Sequence, residues 1–250
     1  MKLSRKEILF FAENGYLIKR AVLDPDLMAQ ARDRLWADAP PELKRDDPAT
    51  WVGAFAQTRG TWKHREPGGE PWMVDLLARN PTIRGVAEQL LGRGTLQEAE
   101  RVRGIYCIFP EGDAPERPMR LHVDRHPFHL SVVGYIDDVP PGGGGFTVWP
   151  GSHRRFYQTF KTRYTFQPTD AYVPERDAVN QLLPADCHGQ AGDVVFWHHR
   201  LGHSGGHNRS SQIRQAVLYD FLKTELETTQ DLPSHDDMWR DWPGVIAVSR

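Results

Sequence analysis

From residue 95 onward this 250-residue chain changes its grammar, and that change limits what it can fold into. Short runs rich in β-branched and aromatic residues, RVRGIYCIF, FHLSVVGYI, GFTVW, DVVFWH and QIRQAVLYDFL, alternate with Gly/Pro clusters such as PPGGGG at 140–145. Such runs suit half-buried strands, and a stretch this rich in Gly and Pro belongs to a turn. With no helical sequence between most of them, these strands are expected to pair antiparallel and close into a barrel or jelly roll.

The first 94 residues read differently. Ser4 and Glu7 form a capping box ahead of an apolar run, which opens a helix that Gly15 ends. Tyr16-Leu17-Ile18 reads as a short strand. Asp24-Pro25 opens a second helix with Leu27, Ala31 and Leu35 as its buried stripe. Residues 39–69 read as a long irregular segment, followed by a helix near Trp72 to Arg79. Asn80-Pro81 caps another helix with Ile83, Val86 and Leu90 inward and Gly92 as its stop. The expectation is one domain over 1–250: a helical part over about 1–94, a β core over about 95–224, and a tail over 225–250. The Trp-bearing stretch of that tail, Asp236 to Gly244, is expected to pack on the outside.

Composition narrows the function. A net charge of −2 and the absence of any basic run give no field to gather nucleic acid or an anionic membrane. Two cysteines outside any CxxC or CxxH setting exclude a disulfide framework or zinc knuckle and suit a reducing cytosol. The apolar stretch Ile8 to Phe11 is too short for a signal peptide, and no run approaches the roughly 18 residues of a membrane helix. A cytoplasmic protein, monomer or homodimer, acting on a small molecule is expected.

Nine of the eleven histidines fall between 122 and 207. Within that region His122-Val123-Asp124 is the sharpest unit. In a strand, residues i and i+2 share a face roughly 6.6 Å apart, so an imidazole and a carboxylate can converge on one cation while Val123 packs the other way. The alternative is a surface His beside a solvated Asp. A third ligand has to come from GDVVFWHHRLGHSGGHN, which offers His198, His199, His203 and His207; His203 lies just before a glycine-rich turn. Arg214 is a lone cation in the apolar strand 212–222, and a buried guanidinium requires an anionic partner. Either it forms a salt bridge with Asp220 or Asp193, or it holds the distal carboxylate of a bound dicarboxylate. Two histidines and a carboxylate facing open positions describe the facial triad of non-haem iron(II) oxygenases.

HxD, a His 79 residues beyond the Asp, and an Arg 11 residues after that His together resemble the phytanoyl-CoA dioxygenase family of iron(II)/2-oxoglutarate-dependent oxygenases. ENGYLIKRAVLDPD, GGFTVWPGSHR and GDVVFWHHRLGHSGGHNRS with QIRQAVLYDF carry the likeness over most of the chain. The resemblance implies a mainly β fold with flanking helices around a double-stranded β-helix (jelly roll, cupin-like) core. It implies Fe(II) bound by His122, Asp124 and His203, with 2-oxoglutarate and O2 as cosubstrates and Arg214 on the C5 carboxylate. Ser131 sits where some relatives place a hydroxyl on 2-oxoglutarate. The implied chemistry is hydroxylation of an unactivated C–H, coupled to decarboxylation of 2-oxoglutarate to succinate. Relatives usually read H-x-S-G-x-N after the last ligand. Here the string is His203-Ser204-Gly205-Gly206-His207-Asn208, so Ser204 is a displaced candidate. Related halogenases replace the carboxylate ligand by a small residue; Asp124 is present, which favours hydroxylation.

Arg125, His126, Phe128 and His129 follow HxD, where this fold lines the substrate mouth, and are the substrate candidates. The 39–69 segment and the C-terminal tail are expected to complete the lid. Trp51, Phe55, Trp62, Lys63, His64 and Arg65 suggest a polar or anionic group on an apolar body, although no basic surface suited to the phosphates of coenzyme A is evident. His153 is expected to support structure, His188 and His207 to be exposed, and Trp149 and Trp197 to be core. Tyr106 and Cys107 alternate on the strand before HxD, and one of them faces the site. Two other classes compete: a cupin-like isomerase or hydrolase using Zn or Mn, and a non-catalytic jelly-roll binding module.

Overall fold

The computed structural model describes residues 2–115 and 117–249. Two antiparallel sheets face one another. The larger is built from β1 (Tyr16–Lys19), β2 (Thr61–His64), β3 (Ile105–Ile108), β4 (Leu130–Tyr135), β7 (Val194–His198) and β9 (Arg214–Phe221), in the order β1-β7-β4-β9-β3-β2. The smaller has β5 (Phe146–Val148), β6 (Ala185–Cys187) and β8 (His203–Gly205), in the order β6-β5-β8. This is the mainly β jelly roll with flanking helices that the sequence leads one to expect.

Both faces of the larger sheet are covered, so its central strand β4 is buried at every position, where a one-sided sheet would alternate. The inner face sends Val133, Tyr135, Val195, Trp197, Ala216 and Leu218 against Phe146, Val148 and Cys187 of the smaller sheet. The outer face sends Leu130, Val132, Phe196, Val217 and Phe221 into a second core with the helices. Those helices include α1 (Arg5–Asn14), α2 (Pro25–Ala37), α3 (Pro71–Leu76) and α4 (Pro81–Leu91). The capping box of α1 forms as expected, and Gly15 ends the helix at φ 79°. In α2 the buried stripe is Met28, Ala31 and Leu35, with Leu27 displaced to the half-buried edge. In α4, Ile83, Val86 and Leu90 point inward as their spacing requires.

Two features differ from the sequence reading. The helical first part of the chain supplies both edges of the larger sheet, β1 and β2. Strand β2 lies within the segment expected to be irregular, paired Thr61↔Ile108 through His64↔Ile105. Gly104 (φ 95°) makes this approach possible, because a Cβ there would stand 2.2 Å from the His64 carbonyl oxygen. The tail, moreover, is not external. Trp242 is fully buried, 5.5 Å from the Phe11 ring, and Trp239 packs against the same core. The run alternating Asp, Trp and Arg looks solvated, yet its two indoles find the apolar groove between α1 and α4. Short helices α5 (Ser152–Tyr157), α6 (Tyr172–Asn180), α7 (Leu226–Thr229) and α8 (Pro243–Ser249) complete the elements.

Among the described residues, no helix is long and apolar enough to cross a membrane.

Candidate metal centre and cavity

His122 and His203 meet because they form a mutual antiparallel bridge. Each backbone N–H donates to the other's carbonyl at 3.0 Å, which extends the smaller sheet by one residue beyond β8 and stacks the rings with centroids 4.5 Å apart. His122 therefore belongs to an isolated bridge; the regular strand expected for HxD does not form. Val123 still turns into packing as expected, 1% exposed beside Trp149 and Phe156. The chain bends after it and brings the Asp124 carboxylate back, 3.9 Å from His122 Nε2 and 3.7 Å from His203 Nε2. One ligand atom from each of the three lies within 4.8 Å of the others, the one such group among the described residues.

The second ring nitrogens explain why the rings point this way. His122 Nδ1 donates to the Arg120 carbonyl at 2.9 Å, and His203 Nδ1 donates to the Leu201 carbonyl at 2.9 Å. A carbonyl only accepts, so both protons sit on Nδ1 and both Nε2 lone pairs face Asp124, the orientation that metal-ligating histidines adopt. Burial opposes charge on His203 and His122 repels it, which together outweigh Asp124 and draw its pKa down to about 4. Burial pushes the Asp124 carboxyl up, but His203, Arg103, His126 and His122 outweigh it and bring it to about 2. At neutral pH the pair is thus a neutral imidazole and a carboxylate, the states in which both coordinate. Two imidazoles and one carboxylate fit a first-row divalent ion such as ferrous iron.

Arg214 starts β9 on the inner face and is 6% exposed. Its Nε donates to the Gly144 carbonyl at 2.9 Å and its Nη1 to the Tyr106 carbonyl at 3.1 Å. Neither carboxylate proposed from sequence reaches it: Asp220 pairs with Arg103 at 2.6 Å and Asp193 with Arg20 at 2.6 Å. Among the described residues Arg214 forms no ion pair, and burial works against its charge. Its acceptors among the described residues are carbonyls, so this buried cation is free to meet an anion in the cavity it faces.

That cavity, about 1580 Å³, is lined by the His/Asp cluster, Arg214, Ser204, Tyr106 and Trp197, among others. Gly205 and Gly206 let its wall close: a Cβ on Gly206 would lie 2.9 Å from the Gly145 carbonyl oxygen. Of the other sequence candidates, Arg125 and His126 line the cavity. Arg125 lies 5.0 Å over the Phe166 ring. Phe128 and His129 do not line it; each is 1% exposed, because the chain after His126 dives into β4. His129 stacks on Tyr164 and accepts the Lys223 backbone N–H instead. Ser131 also stands apart: its hydroxyl donates to Asp220 at 2.6 Å, so it braces a carboxylate behind the site. Ser204 lines the wall, its hydroxyl on the Gly205 carbonyl. Tyr106 faces the cavity and Cys107 the outer core, which settles that alternation. His207, expected to be exposed, is half-buried with its Nδ1 2.9 Å from Glu111. Among the described residues, those of the 39–69 segment that reach the cavity lie between Phe55 and Lys63, and none of the tail does.

Sequence reasoning missed Arg103 and the network it organises. Arg103 grips Asp220 through Nε and Nη2 at 2.7 and 2.6 Å, and its Nη2 also reaches Asp124 at 3.4 Å. His126 Nε2 lies 2.6 Å from Arg103 and 3.0 Å from Asp220. Arg103, Asp220, His126 and Ser131 thus form one network that steadies the outer side of Asp124. Arg103 and Asp220 lie far in sequence from His126 and Ser131, and no local spacing signals their convergence.

The family model for phytanoyl-CoA dioxygenase matches residues 11–216, most of the chain and all of the cluster. The chain belongs to the phytanoyl-CoA dioxygenase family. No curated protein matches it significantly in sequence. Solved structures share its fold. The α-ketoglutarate-dependent carbocyclase SnoK from nogalamycin biosynthesis superposes with a TM-score of 0.58 at 19% identity, over 94% of this chain and 95% of that one. The epimerase SnoN from the same biosynthesis gives 0.58 at 22%, over 96% and 89%. EctD from S. alaskensis, crystallised with 2-oxoglutarate and 5-hydroxyectoine, gives 0.56 at 18%, over 88% and 76%. EctD has also been crystallised with bound Fe. Iron and 2-oxoglutarate are the cofactors of this family, and the two-histidine, one-carboxylate cluster matches the iron in its donor chemistry.

Proposed function

We propose that the protein is an iron(II)/2-oxoglutarate-dependent oxygenase that hydroxylates an unactivated C–H of a small-molecule metabolite. The observation that carries the reading is the joint presence, in one cavity, of the His122–Asp124–His203 cluster and a buried Arg214 with no carboxylate of its own. A metal-dependent hydrolase or isomerase on a similar barrel has a use for the first and none for the second. With iron bound, the centre activates O2 at the expense of 2-oxoglutarate, which leaves as succinate and CO2.

The remaining roles belong to the chain. His122 and His203 present Nε2 while the Arg120 and Leu201 carbonyls hold Nδ1. Asp124 supplies the negative charge that offsets a divalent ion. Arg214 fixes the far carboxylate of 2-oxoglutarate, so that its keto acid end turns toward the cluster. Phe146 and Trp197, whose rings lie 5.2 and 5.6 Å from that of His203, keep the ligand's plane and exclude water beside it. Asp124 itself favours hydroxylation over halogenation, since a halide would need the place its carboxylate fills.

A second reading has a specific motive: two of the similar folds belong to a carbocyclase and an epimerase, so the oxidation could end in ring closure or inversion. Incubation with Fe(II), 2-oxoglutarate and O2 over a metabolite library, with succinate and product mass as readouts, separates these. A product heavier by one oxygen is expected. A product of unchanged mass or two hydrogens lighter favours the second reading, and no iron-dependent succinate at all would overturn both.

A further inference from the structure

Among the described residues, eight Lys and Arg side chains line the cavity against three carboxylates, in a chain whose net charge is −2. All three carboxylates are engaged. Asp124 faces the two histidines, Glu111 holds His207 and Arg209, and Asp177 pairs with Arg176. Of the cations, Arg103 is matched by Asp220, and Arg214 is assigned to 2-oxoglutarate. Arg59, Lys63, Arg117, Arg120 and Arg125 have no carboxylate partner among the described residues. Scattered along the sequence, they form one cationic surface only in the fold.

Lys63 is the member that shares a sheet face with Arg214. It lies on β2 opposite Tyr106, which in turn pairs with Ala216, two residues from Arg214, so it shares the inner face of the larger sheet. Its ammonium stands 5.2 Å over the Tyr106 ring. Partial burial, Arg65 and Arg103 oppose its charge, and Asp124 favours it. Lys63 is exposed on the cavity side, so its ammonium is open to an anion that enters there. Apolar surface reaches the same cavity from the other face of β2: Phe55 and Trp62 stack at 5.7 Å with rings 5° from parallel, and both line it. Such a wall binds a flat or apolar body whose charge then reaches inward.

We infer that the substrate is an organic anion, a carboxylate or a phosphate ester on an apolar body, whose charged group is anchored by Lys63 beside the metal-ligand cluster. This rests on the oxygenase reading and names the substrate class of the same site. Asp124 and Arg214 lie outside the test, which concerns Lys63 alone.

The experiment titrates phenylacetate, phenyl phosphate and neutral phenylacetamide into the protein without oxygen, both apo and loaded with Fe(II) and 2-oxoglutarate, following tryptophan fluorescence. At least one anion is expected to bind about tenfold or more tightly than the amide, the worth of a hydrogen bond to a charged group. Which of the two anions wins distinguishes carboxylate from phosphate. Lys63→Met should remove that preference and Lys63→Arg should keep most of it, while the 2-oxoglutarate affinity of both variants stays at the wild-type value. Equal binding of amide and anions, no binding of either anion, or an undiminished preference in Lys63→Met would overturn the inference. So would a lost 2-oxoglutarate affinity in Lys63→Met, which would give Lys63 to the cosubstrate. Failure of wild type to bind 2-oxoglutarate with iron would instead count against the oxygenase reading, and the apo titrations would still report on Lys63.

Discussion

Eight of the nine histidines of the β half fall into two groups with opposite surroundings; the ninth, His188, is exposed beside Asp186. His122, His126, His203 and His207 line the cavity, and each has a carboxylate within 4 Å: Asp124, Asp220 or Glu111. His129, His153, His198 and His199 are buried away from it, and among the described residues none has a carboxylate partner. They meet rings: His198 lies 5.0 Å from Trp242, His153 5.6 Å from Trp239, and His199 4.8 Å from Tyr164. Burial holds the second group neutral, with His129 and His153 brought down to about 3 and His198 and His199 pushed well below the ordinary value. A crowd of histidines therefore marks a region, and the partner each ring faces decides whether it binds or packs.

The sharpest way to break this contrast is to remove one member from each group. Asp124→Ala should abolish iron-dependent 2-oxoglutarate turnover, a loss on the order of 1000-fold or more, given that even an outer partner of a metal ligand is worth about 10–100-fold. Its melting temperature should fall only modestly: the fold favours the ionised carboxylate, but Arg103 keeps its stronger partner Asp220. His198→Ala should do the reverse, costing about 2–4 kcal/mol of stability by opening a cavity under Trp242, with iron affinity unchanged. Thermal denaturation and iron titration of the two variants check both statements.

Next in size is Arg214→Gln. Removing one partner of a buried charge pair costs about 2–5 kcal/mol, so 2-oxoglutarate affinity should fall by on the order of 100-fold while iron still binds. Asp220→Asn tests the network behind the site. It should weaken iron binding by about tenfold, because Arg103, freed from Asp220, pulls on Asp124.

A gentler perturbation acts on the second group alone. Its rings are neutral when folded and take up protons near pH 6.5 when unfolded, so below that value the unfolded chain binds more protons. Stability should be constant above about pH 7 and fall as pH drops from 6.5 toward 3, by up to about 1.4 kcal/mol per ring per pH unit. Urea midpoints across that range would read it, and a flat profile would mean that these rings are not held neutral. Smallest is Ser204→Ala: one hydroxyl is worth about 1 kcal/mol, so the 2-oxoglutarate KM should change only a few-fold.

What could be read before folding follows the same division. The strand grammar after residue 95, the caps of α1, α2 and α4, and the ordered set His122, Asp124, His203 and Arg214 are local or fixed in order, and the sequence exposes them. Strand β2 is not legible, because Thr61–His64 is too short to signal itself and owes its existence to β3 and to Gly104. Trp242 is hidden by its charged neighbours. Phe128 and His129 were placed at the mouth because they follow HxD closely, but two residues are enough for the chain to enter β4. Ser131 was reached through the resemblance, and only its pairing opposite Asp220 reveals what its hydroxyl touches. The cationic wall around Lys63 is a property of space alone.

The most direct measurement is the visible spectrum of the protein mixed without oxygen with Fe(II) and 2-oxoglutarate. A charge-transfer band of the chelated keto acid should appear, saturate at one iron per chain, and vanish in the Asp124→Ala, His203→Ala double variant. No band in the wild type, or the same band in the double variant, would contradict the assignment of these side chains to the metal.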